Sequence, residues 1–274
     1  MARTVGSKPG LRALLTRFVI SRRPLQTLAY EELRPFADPQ PYRTTAFVLH
    51  GLLGSARTWR SFSRTLLSNL SDPSGWRIVL VDLRNHGRSA ELEGLNPPHD
   101  LVNSAQDLAN LIRTQGWGWP DVVLGHSFGG KVALQFAQSC ARGDYGDSAK
   151  LPKQLWLLDS VPGEVNPENR ELEKVLHTLR SLPSPVPSRK EKCYWPLLEH
   201  PPQDMEIAVV RAEDSNHWDQ DAIQQLENLA TREADGSEGK VSAHVLPKSG
   251  HWVHVDNPKG LLEIVAPKLS SLRP

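Results

Sequence analysis

Residues 122–131, VVLGHSFGGK, place a serine among glycines where an apolar run gives way to a helical pattern. A chain that passes from strand to helix through one residue holds that residue in a strained conformation. Its neighbours two positions away must then be very small. Gly125 and Gly129 occupy those positions around Ser127. The pattern G-x-S-x-G in this context predicts a nucleophile elbow, with the Ser127 hydroxyl at the start of a helix that favours negative charge.

A serine hydroxyl is a weak nucleophile until a neighbouring base removes its proton. Where a serine sits on such an elbow, an acid and then a histidine follow it along the chain. The late segment HVLPKSGHWVHVDNP places His251 on a loop just after an apolar run. We therefore predict His251 as the base. His254, which lies between two valines, is interpreted as a polar neighbour or a core histidine.

The acid must hold the histidine in its useful tautomer and stabilise the imidazolium. Asp159 ends the apolar run of QLWLLDS, directly after the elbow helix. Asp214 follows the next apolar run, in EIAVVRAEDSN, which is the commoner place for this acid. The residues favour Asp159 and leave Asp214 open. In the alternative interpretation, Asp159 only caps the turn that follows it.

A tetrahedral intermediate needs two N–H donors aimed at its oxyanion. The backbone N–H of Phe128, directly after the serine, is one candidate. The second is Leu52, in the glycine turn HGLLGS that follows an apolar run. A second polar turn, DLRNHGRS, is interpreted as a loop held together by its own side chains, namely Asp82, Arg84, His86 and Arg88.

The composition is that of an ordinary globular enzyme, with 39% hydrophobic and 23% charged residues in a chain of 274. A formal net charge of +1 predicts no general attraction to nucleic acid or membranes. The two cysteines, Cys140 and Cys193, have no disulfide-framework or metal-ligand spacing. No apolar run approaches the ~18 residues of a membrane span. We predict no metal, no cofactor and no nucleic-acid partner.

Short apolar runs alternate with helical segments over most of the chain, which predicts a mostly parallel, doubly wound α/β sheet covered on both faces. In such a sheet the site lies beyond the carboxyl ends of the strands. Strands are predicted at 45–51, 76–82, 122–127, 154–160, 206–213 and 242–247, and helices at about 57–70, 103–115, 128–141, 219–234 and 258–272.

Two regions depart from this alternation of strands and helices, and both bear on the domain boundaries. Residues 1–30 contain no Asp or Glu, are rich in arginine and carry leucines at helical spacing. This predicts a mitochondrial transit peptide. The alternatives are a plastid peptide, or a disordered tail on a cytoplasmic protein. The remaining chain, 31–274, is predicted as one domain. Within it, 161–204 is a proline-rich excursion suited to a lid, with one helical piece at 168–180.

The motifs HGLLGS, DLRNHGRS, GHSFGGK, LLDSVP and GHWVHVDNP occur in that order across most of residues 45–265. Together they resemble α/β-hydrolases of the lipid-ester type. In particular, they are similar to the group that contains α/β-hydrolase domain-containing protein eleven and similar bacterial short-chain esterases. The resemblance implies an α/β-hydrolase fold and hydrolysis of esters or thioesters without a cofactor. It also places the acid in LLDSVP, which favours Asp159 over Asp214, and it agrees with a mitochondrial leader.

The excursion at 161–204 is roughly forty residues shorter than the multi-helix lid that the resemblance leads us to expect, and such lids exclude water from the site. A shortened lid is consistent with an open site, a small substrate or impaired activity. Three functions therefore stay open at this point. They are a serine hydrolase of small or medium acyl (thio)esters, an acyltransferase with the same triad, and a non-catalytic binding protein. The sequence predicts neither the acyl length nor the oligomeric state.

Overall fold

The computed structural model describes residues 27–34, 42–163, 193–233 and 236–272. Its strands are β1 (Tyr30–Leu33), β2 (Thr44–Leu49), β3 (Trp76–Val81), β4 (Val122–His126), β5 (Gln154–Leu158), β6 (Glu206–Ala212) and β7 (Lys240–Leu246). They form one sheet in the order β1-β3-β2-β4-β5-β6-β7. All neighbouring strands pair in parallel except β1, which pairs antiparallel with β3 at the edge. The predicted α/β fold with a mostly parallel sheet is confirmed.

The helices of the described residues are α1 (Arg60–Asn69), α2 (Leu101–Thr114), α3 (Phe128–Ala141), α4 (Trp195–Glu199), α5 (Gln220–Thr231), α6 (Val253–Asp256) and α7 (Pro258–Ser270). Side chains cap three of the long helices. Asp100, Asp219 and Asn257 each accept a hydrogen bond from a backbone N–H in the first turn of α2, α5 and α7 respectively. The five helices expected from the sequence are all present, and α3 has the predicted bounds.

The core consists of two apolar layers, one on each face of the sheet. Side chains alternate between the faces along a strand. Phe47 of β2 therefore packs in the layer that contains α2, α3 and α5. Its neighbour Val48 packs in the layer formed with α1 and α7. Every residue of the central strand β4 is buried. The start of α3, which follows β4 directly, is therefore fixed in position by a rigid strand.

The edge strand β1 was not expected from the sequence, because two consecutive glutamates interrupt its apolar pattern. Glu31 forms an ion pair with Arg60, and Glu32 lies 3.7 Å from Arg77. The predicted leader, 1–30, overlaps the described chain at residues 27–30, where Leu28 and Ala29 are buried. Residues 1–26 lie outside the described residues, so the transit peptide and its destination stay predictions.

The predicted lid, 161–204, is described only at its two ends. The predicted helical piece at 168–180 lies outside the described residues. After that gap, Tyr194 is buried and its hydroxyl donates to Gln135 of α3 at 3.0 Å, which anchors the returning chain before α4. None of the helices that the structure describes is long and apolar enough to cross a bilayer.

Candidate active site

Ser127 connects β4 to α3 through a single residue whose backbone is strained. Its φ of +53° lies in the left-handed region that residues with a side chain rarely adopt. Two hydrogen bonds hold the turn, from the Ser127 N–H to the Leu158 carbonyl at 3.0 Å and from the Ser160 hydroxyl to the Ser127 carbonyl at 2.7 Å. A Cβ on Gly125 would lie 2.4 Å from the Gly129 carbonyl oxygen. The structure thus has the elbow that the glycine spacing predicts.

Replacing Gly129 by alanine is expected to destabilise the fold by about 1–3 kcal/mol, because overpacking forces the backbone apart. The added methyl would lie 2.5 Å from the Leu49 carbonyl oxygen, which belongs to a buried strand. Gly118→Ala is the matched control, since a Cβ there has no atom within 4 Å. Urea unfolding of both variants measures the two free energies. Equal effects would show that close packing does not select glycine at the elbow.

The structure brings together the three residues that the sequence singled out for chemistry. The Nε2 atom of His251 lies 3.0 Å from Ser127 Oγ, and its Nδ1 atom lies 2.7 Å from Asp159 Oδ2. Asp159 directly follows β5 and is 1% exposed. Its backbone N–H donates to the Val210 carbonyl of the next strand at 2.8 Å. The carboxylate beside His251 Nδ1 is therefore that of Asp159, the first of the two candidates.

The loop that carries the second candidate, Asp214, holds the Asp159 carboxylate in place. Oδ1 of Asp159 accepts hydrogen bonds from the Ala212 N–H at 3.1 Å and the Trp218 indole at 2.9 Å. Oδ2 accepts one from the Ser215 hydroxyl at 2.7 Å. The sequence predicted a candidate acid in this loop but not its hydrogen-bond donors. A hydroxyl and an indole just beyond a strand end were the available signal.

These hydrogen bonds decide the charge of Asp159. Burial alone would raise the pKa of this carboxyl group, since a low dielectric disfavours the charged form. The hydrogen bonds from His251, Ser215 and Ala212 and the positive charge of the imidazolium outweigh burial, so the pKa lies below its ordinary value. Asp159 is a carboxylate at neutral pH and can stabilise a positive charge on His251.

His126, the residue before the nucleophile, is tied to the loop of the catalytic candidate His251. Its ring is buried, and Nε2 donates to the His251 carbonyl at 2.7 Å. Burial and the charge of His251 lower the pKa of His126 to about 3, so it stays neutral. This hydrogen bond therefore fixes the distance between the turn at Ser127 and the loop that carries His251. The sequence predicts no role for His126, because this contact joins distant parts of the chain.

Replacing His126 by leucine is expected to lower kcat for an ester substrate by about 10²-fold with little change in KM, because small displacements of reacting groups are costly. His126→Gln keeps an N–H donor of similar reach and should recover most of the rate. Steady-state kinetics on a chromogenic ester measure both variants, with circular dichroism as the check on folding. Equal losses in the two variants would mean that the hydrogen bond does not position His251.

His254 is not part of the hydrogen-bonded series formed by Asp159, His251 and Ser127. It is buried, and its ring stacks on Trp59 with 4.0 Å between centroids. Burial lowers the pKa of His254 to about 4, so it is neutral at physiological pH. The interpretation of His254 as a core histidine agrees with this position.

A pocket of about 400 Å³ opens above Ser127 and His251. Leu52 lies in its wall. A Cβ on the preceding Gly51 would lie 3.1 Å from Ser127 Cβ, so this turn passes directly against the serine. Phe128 is the first residue of α3, where backbone N–H groups have no partner within the helix. Both predicted oxyanion donors are thus in elements next to the serine.

The polar side chains of the DLRNHGRS turn form contacts within the turn and with neighbouring elements. The Asp82 carboxylate accepts from the backbone N–H groups of Ala56 at 2.7 Å and Arg88 at 3.0 Å. Arg84 forms an ion pair with Asp107 at 2.7 Å. His86 Nδ1 contacts the Arg84 carbonyl at 2.8 Å. These contacts agree with the interpretation that the polar residues of this turn hold the loop together.

Comparison with known proteins identifies the family. Residues 46–264 match the sequence profile described as "Alpha/beta hydrolase family". The matched region is most of the chain and contains the elbow, Asp159 and His251. The protein belongs to the α/β-hydrolase family.

Individual relatives are similar over parts of the chain. The sequence is 36% identical over 89 residues to "sn-1-specific diacylglycerol lipase ABHD11" of Mus musculus, covering 32% of this chain and 26% of the relative. It is 35% identical over 140 residues to "Probable alcohol acetyltransferase" of Saccharomyces cerevisiae, covering 48% and 35%. The chain thus aligns with well under half of each relative's length.

Among solved structures, a "Marine microorganism esterase" superposes with a TM-score of 0.59 at 20% identity, covering 90% of this chain and 99% of that one. This likeness shows the shared fold. The comparisons therefore agree with the group that the motifs resembled, which includes the ABHD11 proteins.

Proposed function

We propose that the protein is a serine hydrolase that cleaves carboxylic ester or thioester bonds of small or medium acyl substrates through an acyl-enzyme. The observation that carries this proposal is the hydrogen-bonded line from Asp159 through His251 to Ser127 on the elbow. Nucleophile, base and orienting acid stand in the order and at the distances that acyl transfer requires. Membership of the α/β-hydrolase family supports the same chemistry.

In the proposed mechanism, Ser127 Oγ attacks the substrate carbonyl while His251 Nε2 accepts the hydroxyl proton. The developing oxyanion is bound by the backbone N–H groups of Leu52 and Phe128. Asp159 keeps the Nδ1 proton of His251 in place and stabilises the imidazolium. His251 then protonates the leaving alcohol or thiol. A water molecule, deprotonated by His251, releases the acid and restores Ser127.

The pocket supports a substrate of modest size. Its volume of about 400 Å³ lies near the lower end of the usual range for small-molecule sites. The side chains of Leu53 and Trp252 line it and are 48% and 42% exposed, so an acyl or alkyl group can lie against them. This reaction requires no cofactor. A diacylglycerol lipase among the relatives supports an ester as the bond cleaved.

An acyltransferase with the same three residues is the second candidate, and the alcohol acetyltransferase among the relatives favours it. Hydrolysis and transfer share the acyl-enzyme and differ in whether water or an alcohol attacks it. The non-catalytic alternative has weaker support, because the Ser127–His251–Asp159 line is complete.

The share of the acyl group that is transferred to water or to an alcohol distinguishes these functions. Purified protein is given a chromogenic short-chain ester with increasing amounts of an alcohol, and free acid and new ester are both quantified. A hydrolase releases mainly acid, whereas a transferase forms mainly new ester at alcohol concentrations far below that of water. Release of neither product by a folded protein would leave only the binding function.

A further inference from the structure

His217 lies against the proposed catalytic histidine. Its ring stacks on that of His251 with 4.1 Å between centroids and 23° between planes. His217 Nδ1 lies 3.2 Å from Ser215 Oγ, and that hydroxyl lies 2.7 Å from Asp159 Oδ2. His251 Nδ1 lies 2.7 Å from the same carboxylate oxygen. The Nδ1 atoms of His217 and His251 therefore lie next to two neighbouring oxygens, Ser215 Oγ and Asp159 Oδ2 respectively.

We propose that Asp159, His217 and His251 form a binding site for a divalent transition-metal ion such as Zn²⁺, and that the bound ion inhibits the enzyme. One ligand atom from each residue lies within 4.8 Å of the other two. Two imidazole nitrogens and one carboxylate oxygen form a ligand set that zinc commonly takes, with water in the fourth position.

Binding requires a small rearrangement of the three ligands. Zinc bonds of about 2.0–2.2 Å place tetrahedral ligand atoms roughly 3.3 Å apart, so His251 Nδ1 and Asp159 Oδ2, which lie 2.7 Å apart, must separate to admit the ion. His217 is the side chain best placed to move, because it lies on a loop at the pocket surface and is partly exposed. A rotation of its ring out of the stack, in the tautomer with the proton on Nε2, would turn the Nδ1 lone pair toward Asp159.

The charge around the pocket favours a cation. Asp214 and Asp256 line the pocket together with His217 and His251, the Asp159 carboxylate lies buried beneath it, and the described lining includes no Lys or Arg. The ligands follow β5, β6 and β7, so no short ligand spacing marks the site in the sequence. The ion proposed here is an inhibitor and not a cofactor of the reaction.

Inhibition follows from the tautomer of His251, and this part rests on the proposed function. A metal ion bound at Nδ1 uses the lone pair of that atom and displaces the hydrogen bond to Asp159. The single proton of the neutral ring must then sit on Nε2, the atom 3.0 Å from Ser127 Oγ. A protonated Nε2 cannot accept the serine proton, so the nucleophile is not activated.

The test measures zinc binding and inhibition separately on the full-length protein. Isothermal titration with ZnCl₂ is expected to show one ion bound by the wild type and an affinity at least about tenfold weaker in His217→Ala. His200→Ala is the matched control, since that imidazole is exposed and pairs with Glu238. In parallel, ester hydrolysis is measured against zinc relative to each variant's own rate, and excess EDTA should restore it.

The zinc concentration that halves the rate is expected to rise at least about tenfold in His217→Ala and to stay unchanged in His200→Ala. Absence of submillimolar binding to the wild type, or equal affinity in His217→Ala, would overturn the site. Binding that depends on His217 without loss of activity would refute the inhibition. A protein that binds zinc in this way but hydrolyses no ester would keep the site and refute the proposed function.

Discussion

Replacing Ser127 by alanine is expected to lower kcat for a chromogenic ester by about 10⁴–10⁶-fold, because the attacking oxygen is lost and residual catalysis comes from binding alone. The same variant should fail to react with a fluorophosphonate probe. Initial rates and in-gel fluorescence measure the two effects. The fold should survive, since Ser127 is held by backbone hydrogen bonds and its side chain faces the pocket.

The matched control is Ser68→Ala, which removes an exposed hydroxyl from α1. It should hydrolyse the ester and react with the probe as the wild type does. A Ser127→Ala protein that retains a rate within a few-fold of the wild type would show that the elbow is a structural turn and that hydrolysis takes place elsewhere.

Replacing Asp159 by asparagine is expected to lower kcat by about 10³–10⁴-fold, because an amide can present N–H to His251 Nδ1 and hold the wrong tautomer. The carboxylate also accepts from Ser215 and Trp218, and an asparagine of the same size keeps much of that packing. Stopped-time assays with a chromogenic ester over a range of concentrations give kcat and KM for each variant.

Asp214→Asn is the comparison that decides between the two carboxylates. Asp214 is exposed, and its backbone N–H bonds to the Ser249 carbonyl at 2.9 Å. Its variant should keep kcat within a few-fold of the wild type. The opposite ranking, with Asp214→Asn inactive and Asp159→Asn active, would mean that the histidine loop rearranges during catalysis to use the second acid.

The elbow could be predicted from the sequence because the glycine spacing around Ser127 is local. Gly125 is required by close contact with Gly129 and Gly130 of the next helix, whereas Gly129 packs against Leu49 of β2. The helix that follows, α3, has the predicted bounds for the same reason. The position of His251 beside Ser127 could also be predicted, since one loop near the end of the chain offers a histidine in the required order.

The acid could not be fixed from the residues alone, because both Asp159 and Asp214 follow apolar strands. The choice depends on which carboxylate lies within reach of His251, and Asp159 follows β5, the strand adjacent to β4, whereas Asp214 follows β6, one strand further away. The resemblance to known hydrolases favoured Asp159, and the structure places that residue beside His251.

Other features depend on contacts between distant residues and were therefore missed. The strand β1 carries Glu31, whose charge is compensated by Arg60, far along the chain. The bond from His126 to the His251 carbonyl and the stacking of His217 on His251 also join separate segments. None of these pairings leaves a pattern in one continuous stretch of sequence.

The most direct test of the central claim is to map the site of fluorophosphonate labelling on the native protein. Trypsin cleavage after Arg113 and Lys131 releases a peptide, 114–131, in which Ser127 is the only serine. Mass spectrometry should find the probe adduct on Ser127 in folded protein and no adduct after denaturation. Active, folded protein labelled at another residue, or not labelled at all, would contradict nucleophilic catalysis by Ser127.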